Sequence, residues 1–180
     1  MNLVDKIIVD PITKGLKFFT KGGVPAYVSQ VRGRTDGSSP AAGEIGEVIR
    51  STVMTNTTIS TSLTDATGSS LPLTPGRWQI FYSIEGEIVT GSSSSDRTLG
   101  DLAVYTSGNV KLAQTDSRLA GQTPAATSLA LNGKLSGSSV VDLSAATTYK
   151  LQGTRTDLQG TGSFTVIVVP DQAFYAVRIA

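Results

Sequence analysis

A chain of 180 residues with no histidine and no cysteine has neither imidazole nor thiolate chemistry, which excludes Ser/His/Asp and Cys/His catalysis, zinc fingers, Cys-ligated iron–sulfur clusters and disulfides. Its 15 basic and 14 acidic side chains leave a net charge of +1, so no general attraction to nucleic acid or to an anionic membrane is expected. Ser and Thr fill roughly a quarter of the positions and Gly another 19, a bias toward Thr-bearing strands and Ser/Gly turns.

The chain opens Met1-Asn2-Leu3-Val4-Asp5-Lys6, with charges too early and an apolar run too short for a signal peptide. No window approaches the ~20 apolar residues of a membrane span. In the first 43 residues, Leu16 to Thr20 and Val24 to Val31 flank Lys21-Gly22-Gly23, a hairpin signal. This arm carries Ile7, Ile8, Phe18, Phe19 and Tyr27, which about 45 residues cannot bury alone, so they are expected to dock on a partner. Lys14, Lys17, Lys21, Arg32 and Arg34 make it basic; docking on an acidic protein surface is the commoner meaning, single-stranded nucleic acid the rarer. Residues 33 to 44 have linker composition, which divides the chain into an arm and linker (1–43) and a main body (44–180).

In the body, Glu44 to Thr55 reads as an extended segment with apolar residues on both faces. Leu73-Thr74-Pro75-Gly76 is a turn, and Arg77 to Thr90 is the clearest strand, with Trp78, Ile80, Tyr82 and Ile84 on one side and Gln79, Ser83 and Glu85 on the other. Further strands are expected at Leu99 to Thr106, Val110 to Thr115, Thr127 to Leu135, Ser139 to Leu143, Thr148 to Thr156, Gly162 to Val169 and Gln172 to Ile179. No helical periodicity persists beyond ten residues. Eight or nine antiparallel strands at this spacing imply an all-β fold of two packed sheets, a β-sandwich or jelly roll, with a short N-terminal β-hairpin arm. In Phe164 to Val169, alternation sends Phe164, Val166 and Val168 into the core, so Ile167 and Val169 leave on the opposite face. Either loops or identical faces of other subunits cover that face, and loops rich in Ser and Gly favour the subunits.

Four stretches resemble short bacteriophage virion proteins, tail-fibre tips, tail needles and head fibres, that carry a tumour-necrosis-factor-like jelly-roll knob: Pro40 to Ile49, Leu71 to Trp78, Leu143 to Leu151 and Phe174 to Ala180. The resemblance implies a homotrimer on the outside of a phage particle, assembled in the host cytoplasm. Its arm would attach to capsid or tail proteins and its knob would be exposed. With imidazole and thiolate absent, only carboxylates, lysines, tyrosines and hydroxyls remain for catalysis, and neither a cofactor nor an enzymatic activity is expected. The competing roles are a module binding a host-surface glycan, with Trp78, Tyr82, Tyr105 or Tyr149 as stacking residues, and a glycan-cleaving enzyme. For the latter only Glu85 with Glu87, or Asp96 with Asp101, offer carboxylate pairs. The bland reading puts Trp78 and Tyr82 in the core and the glutamates on a solvated face; a calcium site from Asp96 and Asp101 lacks the usual run of ligands.

Overall fold

The computed structural model describes residues 40–51, 55–66, 68–93, 95–123, 128–167 and 174–180 in full, and the backbone alone of 4–9, 16–20, 25–26 and 173. Among the described residues there is no helix, and every strand pair is antiparallel.

The arm holds β1 (Val4–Val9), β2 (Leu16–Thr20) and β3 (Pro25–Ala26) in a three-stranded sheet. Phe18 lies opposite Ala26 and Phe19 opposite Pro25, the antiparallel pairing of the expected hairpin, whose Lys21-Gly22-Gly23 link lies outside the described residues. A strand that was not expected, β1, joins its other edge, with Ile7 opposite Phe18.

The body builds two sheets. In one, β8 (Gly76–Thr90) pairs along its whole length with β11 (Ala130–Leu143). The other edge of β8 is shared end to end by β14 (Ala173–Arg178) and β13 (Gly162–Ile167). These pair outward with β4 (Val48–Arg50) and β5 (Thr57–Ile59) respectively. In the second sheet, β10 (Ser117–Gln122) pairs with β9 (Arg97–Thr106) and β9 with β12 (Thr147–Gln159). The far edge of β12 is shared by β6 (Thr64–Asp65) and β7 (Leu71–Leu73). Each end-to-end pair occupies one strand position, which leaves eight positions. Numbered along the chain, their orders in the sheets are 1-8-3-6 and 2-7-4-5. That alternation between sheets, two interlocked Greek keys, is a jelly roll.

The alternation of β8 explains the core. Trp78, Ile80, Tyr82, Ile84 and Ile88 all point inward and are buried, meeting Leu71, Leu73, Leu102, Val104, Leu151 and Phe164. Phe164 and Val166 fill the interior as expected; Val168 lies outside the described residues.

Two expectations are corrected. One strand was expected to end at Leu135 and another to begin at Ser139, but β11 runs straight through Ser136-Gly137-Ser138. Gly137 is there because β11 passes over Tyr82: a Cβ at that position would stand 2.7 Å from Tyr82 Cε1 and 2.9 Å from Thr115 O. We therefore expect Gly137→Ala to overpack the core and lower stability by about 1–3 kcal/mol in urea titration; an unchanged midpoint would refute this account of the glycine. Val110 to Thr115 is not a strand. It makes one bridge, Lys111 to Tyr105, and then turns, with Gln114 at φ 63°. Thr115 is buried and pins this loop, accepting from Val104 N at 3.0 Å and donating to Leu112 O at 2.7 Å.

Three of the four stretches that carry the phage resemblance meet at one end of the sandwich, and the fourth pairs with one of them. Arg178, buried on β14, donates through Nε to Glu47 Oε2 at 3.0 Å, through Nη1 to Pro75 O at 2.8 Å and through Nη2 to Thr74 Oγ1. Its guanidinium lies 4.4 Å from the centre of the Trp78 ring, and Trp78 Nε1 donates to Thr74 O at 2.9 Å. Glu47 Oε2 also accepts from Gly43 N at 2.7 Å, and Gly46 N donates to Arg178 O at 2.8 Å. Leu71 and Leu73 pair with Tyr149 and Thr147. The motif residues thus close the sandwich.

Candidate functional site

The outer face of the β8 sheet follows from register. Val48, Val177, Gln79 and Val140 form one row across the sheet, and Arg50, Tyr175, Phe81 and Ser138 the next. Val48 and Val140 are 46% and 43% exposed. The Phe81 and Tyr175 rings stack with centroids 5.1 Å apart, and Arg50 covers Tyr175 at 5.1 Å. Toward β13 the face becomes charged: Ile167 lies opposite Glu85, which lies opposite Lys134, and Glu87 follows.

Ile167 therefore emerges on this outer face, half-buried, at the border between its apolar and charged halves. Val169 and Tyr27 lie outside the described residues. Ile7 and Ile8 fall on β1, and Phe18 and Phe19 on β2. The apolar half of the face was not singled out from sequence, because Phe81 and Tyr175 stand 94 residues apart on strands whose adjacency only the topology creates.

Of the four aromatic candidates, Trp78, Tyr82 and Tyr149 are core. Tyr82 Oη sits 2.7 Å from Thr115 O and 3.1 Å from Leu102 O, and burial pushes its pKa up. Tyr105 alone reaches the surface. Among the carboxylates, Glu85 and Glu87 take the outer face, as the solvated reading has it. Asp96 is buried in the turn before β9, where it accepts from Ser93 N at 3.1 Å and packs over Gly91 and Gly160. Asp101 points outward to Arg118. Asp96 and Asp101 thus do not converge, and no group of three or more metal-ligating side chains gathers among the described residues.

The outer face of the β9 sheet holds a polar pit. Ala103 is its floor. Register surrounds this small residue with longer ones: Tyr105, Lys111 and Lys150 on one row, Gln152 and Asp65 beside it, and Asp101, Arg118 and Thr154 on the next. The pit holds about 180 Å³ and is lined by Asp101, Tyr105, Lys111, Asp116, Arg118, Gln152 and Thr154 over Leu102 and Ala103. Arg118 holds Asp101 through two hydrogen bonds, 2.6 and 3.2 Å, and Lys111 Nζ lies 2.6 Å from Asp116 Oδ1. Gln152 is only 2% exposed although it points outward. Its Nε2 donates to Asn109 Oδ1 at 2.9 Å and to Asp65 Oδ1 at 2.5 Å, which ties the 107–116 loop across the sheet. Burial works to raise the Asp65 pKa, but hydrogen bonds from Lys150 and Gln152 and the Lys150 charge outweigh it and hold the carboxyl below its usual range.

No family model and no curated protein matches the chain. Among solved structures, a chain of the mosquito-larvicidal Cry4Aa toxin from Bacillus thuringiensis is similar over 68% of this chain and 19% of its own, at 9% identity and a TM-score of 0.32. A chain of infectious bursal disease virus, Gx strain, is similar over 100% of this chain and 42% of its own, at 11% identity and a TM-score of 0.34. A chain of the T13 particle of the same virus is similar over 91% and 42%, at 10% identity and a TM-score of 0.33. This chain spans less than half of each, and likenesses of this size leave the jelly-roll reading resting on the strand order itself.

Proposed function

We propose that this chain is a structural protein of a bacteriophage particle, a homotrimeric surface fibre or decoration protein. The N-terminal arm anchors it to capsid or tail, and the jelly roll is the exposed knob. The observation that carries the reading is the apolar outer face around Phe81 and Tyr175, flanked by exposed Val48 and Val140. An antiparallel sheet that faces water alternates polar residues outward; one that is apolar on both faces needs a second cover. Copies of the same chain around an axis supply it. The arm, with more apolar side chains than so short a segment can bury, supports attachment through Ile7, Ile8, Phe18, Phe19 and Tyr27. Nothing in the carboxylate geometry favours the glycan-cleaving alternative.

The role is tested on the particle: an antibody against the full chain should label the outside of purified particles from the source of this sequence, and unlabelled particles would overturn it. The assembly is tested separately. Sedimentation equilibrium should give three times 18.7 kDa. Val140→Asp and Ile167→Asp should each dissociate the trimer while leaving the far-ultraviolet circular dichroism unchanged, because a carboxylate buried at three related contacts costs several kcal/mol each. A wild-type monomer at micromolar concentration, or variants that stay trimeric, would move the interface elsewhere.

A further inference from the structure

We propose that the closed end of the knob is itself a docking face, seated on the protein surface to which the arm attaches, so that the loops at the far end point away from the particle. This rests on the anchoring role of the arm proposed above and adds to it the orientation of the knob and a second point of contact. The first observation is where the chain enters the sandwich. Ala41 N donates to Glu44 Oε2 at 2.8 Å, Gly43 N to Glu47 Oε2 at 2.7 Å and Gly46 N to Arg178 O at 2.8 Å. Residues 41–47 are thereby fixed against the last residues of β14, at the end where β8 begins.

The second observation is reach. Residues 27–39, which link β3 to the knob, span at most about 45 Å when drawn out straight. The knob is longer than that, since the 15 residues of β8 alone run about 50 Å from Gly76 to Thr90. An arm bound to the particle therefore keeps the closed end close to the surface it binds. Even a straight link falls short of laying the far end on that surface with the closed end pointing away.

The third is the chemistry of the two ends. The closed end exposes Ala42, Pro75, Val110, Ala145, Ala146 and Ile179, Val110 to 66%. Arg77 and Asp142 pair with one another there, as do Arg178 and Glu47. Small apolar side chains among self-paired charges gain by leaving water against another uncharged protein surface. At the far end Thr90 pairs with Gly162 and Arg97 with Gln159. Its loops expose hydroxyls instead, at Ser60, Thr61, Ser62, Ser92, Ser93 and Thr161, around the two large apolar side chains Leu63 and Leu158. The end richer in hydroxyls is the one that faces water.

The chain contains no cysteine, so a thiol introduced into the full-length protein is its only one. Ala42→Cys and Ala145→Cys place it at the closed end, Thr61→Cys and Ser92→Cys at the far end, all at exposed positions. Reaction with a maleimide polyethylene glycol is followed on the free chain and on purified particles grown with each variant in place of the wild type. All four variants should melt at the wild-type temperature and react readily as free chains. On particles the two closed-end thiols should react at least about tenfold more slowly, as expected where a contact excludes water, and the far-end thiols as fast as on the free chain. The inference is overturned if the closed-end thiols on particles react at the free-chain rate, which leaves the knob on a loose tether, or if the far-end thiols are the slow pair. It is also overturned if the closed-end thiols are already slow on the free chain, which makes that end a contact between copies. A wild-type chain missing from particles overturns the anchoring reading itself, whereas a chain present with its closed end reactive overturns this inference alone.

Discussion

Trp78→Ala should destabilise the knob severely, costing about 3–5 kcal/mol through lost contacts and a residual cavity. The side chain is fully buried at the start of β8, its indole nitrogen is bonded to Thr74 O, and Arg178 covers its ring. For a domain of this size the loss corresponds to a fall in melting temperature of about 6–20 °C. Thermal circular dichroism at one fixed protein concentration measures it, since oligomerisation makes the midpoint concentration-dependent. A melting point within error of wild type would mean that the closed end of the sandwich is not built as described.

Arg178→Ala should be of similar size, for an electrostatic reason. The pair with Glu47 is buried on both sides, with the two side chains 7% and 11% exposed. Removing the guanidinium strands the Glu47 carboxylate with Gly43 N and takes the donors from Pro75 O and Thr74 Oγ1. Breaking one partner of a buried pair typically costs about 3–5 kcal/mol. The double variant Glu47→Leu with Arg178→Met should recover part of that loss in urea titration, because it leaves no unpaired buried charge. If the double variant is less stable than Arg178→Ala alone, the stranded-charge explanation fails. Trp78 and Arg178 touch, so combining their alanine variants should cost less than the sum of the two.

Much of this fold was legible from side-chain alternation. The inward series of β8 keeps its period over the whole strand, and so its core assignment holds residue by residue. Where glycine or a small residue takes an inward position, the signal weakens: β10, Ser117–Gln122, turns Ser117, Leu119 and Gly121 inward, and one apolar side chain is too little to mark it as a strand. Gly137 misled for the same reason, since a glycine between two serines reads as a turn when its purpose is room for Tyr82. The pit was half legible. Tyr105 stood out as a candidate stacking aromatic and Asp101 as a candidate carboxylate. Arg118, Lys111 and Gln152 are brought to them by pairing between distant strands, and a glutamine buried on an outward face breaks the alternation that sequence reading relies on.

The pairing of β4 with β14 also orders events in time. Glu47 and Arg178 stand 131 residues apart in the chain, so during synthesis β4 emerges long before the strand it will join. Until β14 has left the ribosome, its edge is open and the Glu47 carboxylate has no guanidinium to meet. Closing so long a loop is slow, and an unpaired edge in the interval is a point of misassembly. Val48 and Ile49 on that waiting strand have neighbours that keep it soluble: Glu44, Glu47 and Arg50 surround them with charge, in the way that gatekeeper residues flank strands that must wait for a partner.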